Sequence, residues 1–417
     1  MAALQSVRGT HDLLPEESRR HRFVEEKALG VTSLYGFGEI MTPIFEFTDV
    51  FARTLGDTSD IVTKEMYTFT DKGGDSLTLR PEGTAGVCRA FISGGLAQHL
   101  PLKFFYRGPM FRHERPQKGR LRQFHQVGVE LLGVENPQAD VEVIAMARHL
   151  LDELGIGQHT VLELNTLGDV ESRENYRQVL VAYLQDHLSS LSDDSKNRLD
   201  KNPLRILDSK DEGDRKIVAN APLLSQHLNE ASRGFFAKVQ EGLSALGVPF
   251  TVNERLVRGL DYYGHTAFEF TTALLGSQGT VLAGGRYDTL ISTMGGPATP
   301  GIGWAAGVER LSMLSQEAGL QVPEAARPIA LVPMGEAAQA ALLKLSGELR
   351  RAGLAVEMGY AGNLGKRLKR ADKVRARLAV ILGDDELAKK AATVRDLDSG
   401  EQEAVALDAL VQRLSGK

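Results

Sequence analysis

A chain of 417 residues with 42% hydrophobic and 25% charged side chains has the composition of an ordinary soluble protein, and its length suggests about two to four domains. A net charge of −5 excludes a uniformly basic nucleic-acid coat, and a single cysteine, Cys88, excludes an internal disulfide framework or a Cys-based zinc site. With no apolar core of signal-peptide length at the N-terminus and no run approaching ~18 apolar residues, the expectation is a cytoplasmic protein with no membrane segment.

After Pro15, residues 16–37 read as an amphipathic helix, with Phe23, Val24, Leu29, Val31 and Leu34 as its stripe and Gly36 and Gly38 at its end. Residues 39–51 read as extended, with Pro43 marking an edge or bulge. MYTFT (66–70), the turn DKGGD and SLTLR (76–80) form a predicted hairpin. Two further strands, 103–112 and 123–133, flank a basic loop, HERPQKGRLR. A helix over 138–155 and a strand over 161–168 come next. Residues 169–245 are polar and helix-prone between strand-rich regions, so they read as a helical insertion. Strands return at 250–257, 265–272 and 278–285, and 301–319 reads as a helix.

The small-residue, Pro-containing stretch AGLQVPEAARP (318–328) separates this part from the tail. The predicted division is a first domain over 1–322, a linker over 323–328 and a second domain over 329–417. In the second, strands at 328–333, 354–358 and 378–383 alternate with helices at 336–352 and 363–376. That βαβαβ rhythm implies an α/β domain with a parallel sheet. The earlier part reads as α+β, a predominantly antiparallel sheet with helices to the side. The tail from Arg327 carries 16 basic against 12 acidic side chains, net +4, which leaves −9 for the rest. Such asymmetry suggests that the tail meets an anion.

Several short motif matches carry little weight. GDSL (74–77) sits at a hairpin turn, and the chain has no D-x-x-H to partner its serine. GYAGNLGKR (359–367) is one residue too long for a phosphate loop, and Arg367 stands where Ser or Thr would hold Mg²⁺. GIGWAAG (301–307) comes after a proline turn rather than a strand, so it is a weak dinucleotide fingerprint. The ten histidines form no evident metal-ligand motif.

Chemistry concentrates elsewhere. Between Lys103 and Arg122 stand seven basic side chains (Lys103, Arg107, Arg112, Arg115, Lys118, Arg120, Arg122) and one acid, Glu114. A solvated loop would explain them; so would a polyphosphate site. Alternation favours the site. Phe124, Gln126, Gly128 and Glu130 share a face on one strand, as do Tyr106, Gly108, Met110 and Arg112 on the other. An aromatic, an amide, a carboxylate and a guanidinium on one sheet face need partners. Two further clusters are RPEGT (80–84) and LVRGLDYYGHTAFEF (256–270). Either alone could be ordinary turn or strand chemistry.

Taken in order, SVRGTHDLLP, RPEGT, FRHERPQKGRLRQFHQ, LVRGLDYYGHTAFEF, GTVLAGGRYD and GIGWAAGVERL resemble the histidine–tRNA ligase family, the histidyl branch of the class II aminoacyl-tRNA synthetases. The resemblance spans essentially the whole chain. It implies a class II catalytic domain and a C-terminal anticodon-binding domain. It also implies two-step ligation of L-histidine to its cognate tRNA through a histidyl-adenylate, with ATP as substrate and Mg²⁺ beside it. It implies Arg112 and Arg258 at the α-phosphate, where a guanidinium stays charged and binds bidentately. Arg120 and Arg310 are implied along the phosphates, Phe124 against adenine and Glu114 at its amine. Glu82, Gly83, Thr84 and Gln126 are implied around the α-amino group, and Glu130, Tyr262 and Tyr263 around the imidazole. No metal-binding residue is implied.

The segment 350–377, with nine basic and two acidic side chains, fits an anticodon-binding tail. The resemblance further implies a homodimer in which residues 16–51 pack across the axis. Ile44, Phe45 and Phe47 are interface or monomer-core candidates. The competing expectation is a non-catalytic, histidine-sensing regulatory subunit of ATP phosphoribosyltransferase, which shares the catalytic-domain fold.

Overall fold

The computed structural model describes residues 4–55, 61–117, 119–257, 262–276, 279–320 and 322–416. Its chain divides into Met1–Val322 and Pro323–Lys417.

In the first unit α1 (Pro15–Leu34) starts on a proline, with Glu16 and Glu17 in its first turn. It ends before Gly36, whose φ of +79° is the left-handed conformation glycine permits. The edge strand β1 (Gly38–Glu39) is next. A small sheet then forms from β2 (Phe45–Phe47), β3 (Tyr67–Thr70) and β4 (Ser76–Leu79), in the order β2-β4-β3, with α2 (Thr48–Ala52) after its first strand. The expected extended run to residue 51 therefore stops at Phe47. Phe51 turns inward on α2 to pack with Leu55, Cys88 and Phe91. The Gly-Asp-Ser motif is the β3–β4 turn, where Asp71 Oδ1 accepts from the amides of Gly73 (2.8 Å) and Asp75 (2.9 Å).

Next come α3 (Thr84–Ser93), β5 (Leu102–Phe111), β6 (Gln123–Leu132), α4 (Pro137–Glu153) and β7 (Val161–Thr166). The insertion contributes α5 (Val170–Asp186), α6 (Asp193–Leu199), α7 (Glu212–Val218) and α8 (Glu230–Ala245). It has its own core, in which Tyr176, Leu180 and Leu184 meet Ile206 and Leu224. Then β8 (Thr251–Val252), β9 (Gly264–Thr271), β10 (Thr280–Arg286), α9 (Leu290–Thr293), β11 (Gly301–Gly307) and α10 (Val308–Glu317) complete the unit. The strand expected over 250–257 is only two residues long, because the chain turns at Asn253, whose side chain bonds Glu163 and the Arg255 amide.

The large sheet runs β1-β5-β6-β11-β10-β9-β7-β8. Its inner strands are antiparallel, while β1 and β8 lie parallel to their neighbours, so the sheet is mixed rather than wholly antiparallel. One face is the core. There Val127, Val129, Leu131, Ile302, Trp304, Phe268 and Phe270 pack with Val143, Ile144, Ala147 and Leu150 of α4. Residues between them in sequence must face the other way.

The expected helix over 301–319 is corrected: its first seven residues are β11, and only Val308–Glu317 is helical. Glycine and alanine alternate here with Ile302, Trp304 and Ala306. That is the two-residue period of a strand with one apolar face, and small residues at the other positions obscured it.

In the second unit β12 (Ile329–Pro333), α11 (Glu336–Arg351), β13 (Val356–Met358), α12 (Leu364–Lys373) and β14 (Leu378–Leu382) give the expected alternation. The sheet does not stop there. After α13 (Asp384–Ala388), β15 (Ala391–Asp396) and β16 (Gln402–Ala406) add an antiparallel hairpin, and α14 (Leu410–Ser415) closes the unit. The order is β13-β12-β14-β15-β16, parallel on one side and antiparallel on the other. Lys366, Lys369, Arg370 and Lys373 of α12 are exposed.

Candidate active site

The uncovered face of the large sheet is the floor of a cavity. Register places Gln126 opposite Gly108 and Gly307, Gly128 opposite Tyr106 and Ala305, and Glu130 opposite Phe104 and Gly303. Ala283 and Gly285 of β10 continue the row beside Ala305 and Gly303. Glycine and alanine keep this strip low, so the volume above it stays free for a ligand. The space at Gly303 admits no methyl group: a Cβ there would collide with Glu130 Oε2.

One end of the cavity is cationic. Arg112, Arg120 and Arg310 all line it, with Phe124 and Glu114. Arg112 comes just after β5, and its Nε donates to Pro81 O (2.9 Å) while its guanidinium lies 5.4 Å from the Phe124 ring centre. Arg310, near the start of α10, donates from Nε to Gly119 O (3.2 Å) and from Nη1 to Thr280 O (2.7 Å). Burial, and then the neighbouring Arg120, hold the Arg310 pKa below its ordinary value. Glu114 offsets part of this charge, accepting from Arg120 Nη1 (2.9 Å) and lying 3.9 Å from Arg112. Side chains from three elements converging with one sign of charge make an anion site.

The other end is polar and acidic. Glu82, Thr84, Gln126, Tyr262, Tyr263 and Tyr287 line it. Glu82 caps α3, its carboxylate accepting from the amides of Thr84 (2.7 Å) and Ala85 (2.8 Å). Burial raises its pKa, with those amides opposing. Among the described residues, Gln126 Oε1 is buried with no hydrogen-bond partner. A buried acceptor left this way calls for a donor from a ligand. Glu130 does not itself line the cavity. It lies just behind, accepting from Thr84 Oγ1 (2.7 Å) and from the Tyr287 hydroxyl. Burial pushes its pKa up to about 8. Gly83 is also outside the lining, and its missing side chain makes room for the Tyr106 ring rather than for a ligand. Tyr262 and Tyr263 pack at 4.6 Å between ring centres.

Arg258 and Lys118 lie outside the described residues. The expected residues the structure does describe, apart from Gly83 and Glu130, meet around the one cavity. Sequence reasoning missed Tyr287, although it stands in the motif GTVLAGGRYD, because a tyrosine after Gly-Gly-Arg gives no pattern of its own. It also missed Glu309, whose carboxylate accepts from the His125 backbone amide (2.9 and 3.0 Å) and lies 2.9 Å from its Nδ1. His21, His125 and Glu309 come together from three distant segments. The Glu309 bonds pin α10, and hence Arg310, to β6.

The three carboxylates on the cavity wall, Glu82, Glu114 and Glu309, are each already bonded to protein donors. Each is engaged with a different protein partner, so among the described residues no group of carboxylates is gathered on this wall to hold Mg²⁺ by itself.

Comparison with known proteins agrees with this geometry. A family model described as "Histidyl-tRNA synthetase" matches residues 9–311, and one described as "Anticodon binding domain" matches residues 329–417. A Rhodospirillum rubrum protein named histidine–tRNA ligase is 67% identical over 415 residues, covering 100% of this chain and 99% of that one. Its namesake from Gluconacetobacter diazotrophicus is 57% identical, with 100% and 99% covered. The crystal structure of apo histidyl-tRNA synthetase from S. aureus superposes with a TM-score of 0.85 at 36% identity, covering 99% of this chain and 100% of that one. A cationic pocket joined to a polar one on a bare sheet face, carried on a sequence this similar from end to end, places the chain in the histidyl-tRNA synthetase family.

Proposed function

We propose that this protein ligates L-histidine to histidine-specific tRNA in two steps. A carboxylate oxygen of histidine attacks the α-phosphorus of ATP, forming histidyl-adenylate as pyrophosphate leaves. A hydroxyl of the terminal ribose then attacks the adenylate carbonyl, and AMP leaves. The carrying observation is the shared cavity, with Arg112, Arg120 and Arg310 at one end and Glu82, Thr84, Gln126 and Tyr263 at the other.

The first step brings two anions together, so its barrier is largely electrostatic and fixed cations lower it. Arg112 and Arg258 are assigned to the α-phosphate, and Arg120 and Arg310 to the rest of the triphosphate. Phe124 stacks on adenine, with Glu114 at the exocyclic amine. Glu82, Thr84 and Gln126 take the α-ammonium, with Gly83 shaping that corner through Tyr106. Glu130, Tyr262 and Tyr263 take the imidazole, Glu130 acting from behind Thr84 and Tyr287. A site built on such hydrogen bonds can reject isosteres by ~10⁴-fold. Mg²⁺ arrives with the triphosphate rather than on protein carboxylates, and no step is assigned to it. Residues 1–322 are read as the catalytic domain, with its insertion at about 169–245, and 323–328 as a linker. Residues 329–417 bind the anticodon, and the exposed lysines and arginines of α12 supply the phosphate contacts.

The working form is read as a cytoplasmic homodimer. No helix among the described residues is long and apolar enough to cross a membrane. Phe45 and Phe47 of β2 and Phe69 of β3 stand exposed on one face around Leu77, a patch suited to a partner subunit. The regulatory-subunit reading is not favoured, since the relatives above are named as ligases and this chain keeps the cationic pocket.

The test is histidine-dependent ATP–pyrophosphate exchange by the purified protein. Exchange at micromolar to millimolar histidine is expected; none at saturating histidine would remove the ligase reading.

A further inference from the structure

We propose that Arg173, on the first helix of the insertion, is a positioning residue for the amino-acid pocket: it holds the backbone of Tyr263 and makes histidine affinity depend on the base of the insertion. The inference deepens the functional reading above and rests on it.

Tyr263 presents its ring to the cavity. Its backbone carbonyl turns away and accepts from Arg173 Nη1 at 2.5 Å. The same guanidinium lies against Gly264, where an added Cβ would meet it at 3.6 Å. His265 comes next with φ of +37°, a conformation that non-glycine residues adopt rarely. Such backbone persists only where its surroundings fix it, and here they do. The His265 amide donates to Gly168 O (2.8 Å), and the Leu167 amide donates to His265 O (2.6 Å). The His265 ring stacks on Phe235 of α8, with centres 4.5 Å apart and planes at 26°.

Every one of these anchors belongs to the root of the insertion or to the strand entering it. The root is itself tied together. Asp169 accepts from Asn229 Nδ2 (2.8 Å), the Asp169 amide donates to Ser232 Oγ (3.0 Å), and the Asn229 amide donates to Ser172 Oγ (3.0 Å). The beginnings of α5 and α8 therefore form one block, and Tyr263–His265 is fastened to it from both helices. A charged donor on a half-buried carbonyl is a strong link. A displacement of that block moves Tyr263, and by linkage histidine in the pocket must favour one placement of the block.

The test measures pyrophosphate exchange with full-length protein while histidine and ATP are varied separately. Arg173→Ala is expected to raise the KM for histidine roughly 10- to 100-fold, the scale of a lost charge-assisted hydrogen bond. The KM for ATP should stay within about twofold. Arg173→Lys, which keeps a charged donor, should recover part of the loss. Histidine should also raise the Tm of the wild type, and that rise should shrink in Arg173→Ala at equal histidine. An unchanged KM for histidine, or equal rises in both KM values, overturns the proposal. If Arg173→Ala fails to fold, Arg173→Lys and Phe235→Ala are read by the same split. A wild-type chain that neither exchanges nor shifts its Tm with histidine defeats the functional reading itself, and this inference with it.

Discussion

Glu130 is the residue whose protonation the fold controls most visibly. It is 1% exposed, and burial lifts its pKa to about 8, against about 4.3 for a free side chain. The folded chain therefore keeps a proton that the unfolded chain releases between those values. The corresponding stability is complete below pH ~4.3 and is lost as pH rises through about 8. Glu130→Gln has no proton to lose. Its urea midpoint relative to wild type should rise between pH 5 and 8.5, and parallel curves would mean the carboxyl is ionised throughout.

At the same scale, Arg112→Ala should lower kcat for exchange by about 10²–10³-fold, the size found for a single transition-state donor; a pure KM effect would reassign Arg112 to ground-state binding. Arg112, Glu82 and Gln126 were legible because their residue types, in strands of fixed alternation and in recognisable motifs, match a phosphate and an ammonium. Glu309 and Tyr287 were not, since their importance arises from contacts to His125 and Glu130 across more than 150 residues.

Among elements, β11 shows what a sequence can hide. Its alternation was present, but glycine and alanine at the open positions weakened the contrast with Ile302 and Trp304. Those small residues are the floor of the site, so the feature that obscured the strand is the one that makes room for ligand. Gly303→Ala would drive a Cβ into Glu130 and into the Val129 carbonyl of β6, so it is expected to abolish exchange and to lower the urea midpoint as well; wild-type exchange would mean the strand pair yields at no cost. The hairpin β15–β16 was missed for another reason. A βαβαβ rhythm carries no information about the chain beyond its third strand, and exposed polar residues in β16 blurred its pattern.

The join between α4 and β10 is made by charge. Asp140 and Arg286 are both fully buried and bonded through Nε (3.1 Å), and Arg286 Nη1 also donates to Val134 O (2.9 Å). Asp140→Ala removes the fully buried partner and leaves Arg286 only Asp288 (3.1 Å) and main-chain carbonyls, which should cost about 3 kcal/mol in chemical unfolding. A loss under ~1 kcal/mol would mean water replaces the carboxylate.

For the molecule as a whole, the two units have separate cores. Ending the chain after Val322 should leave exchange measurable and weaken tRNA charging. Undiminished charging would refute the anticodon assignment. If the aromatic face of the small sheet is the subunit contact, Phe45→Asp with Phe47→Asp should halve the mass seen by sedimentation equilibrium. An unchanged mass moves the contact elsewhere. In the sequence the stretch 318–328 stands out by composition, because a proline-containing, small-residue stretch cannot sustain a packed element.

The pairing of β6 with β11 carries a consequence for how the protein is made. During translation β6 is complete at Leu132, and its partner does not begin until Gly301. At roughly 5–20 residues per second a ribosome needs on the order of ten to thirty seconds to bridge that gap. Throughout it the β5–β6 ribbon has a naked edge, and Val127, Val129 and Leu131 lack part of their cover. The nascent chain should therefore depend on a holding chaperone in this window, and slow decoding of the insertion should lower the yield of soluble protein.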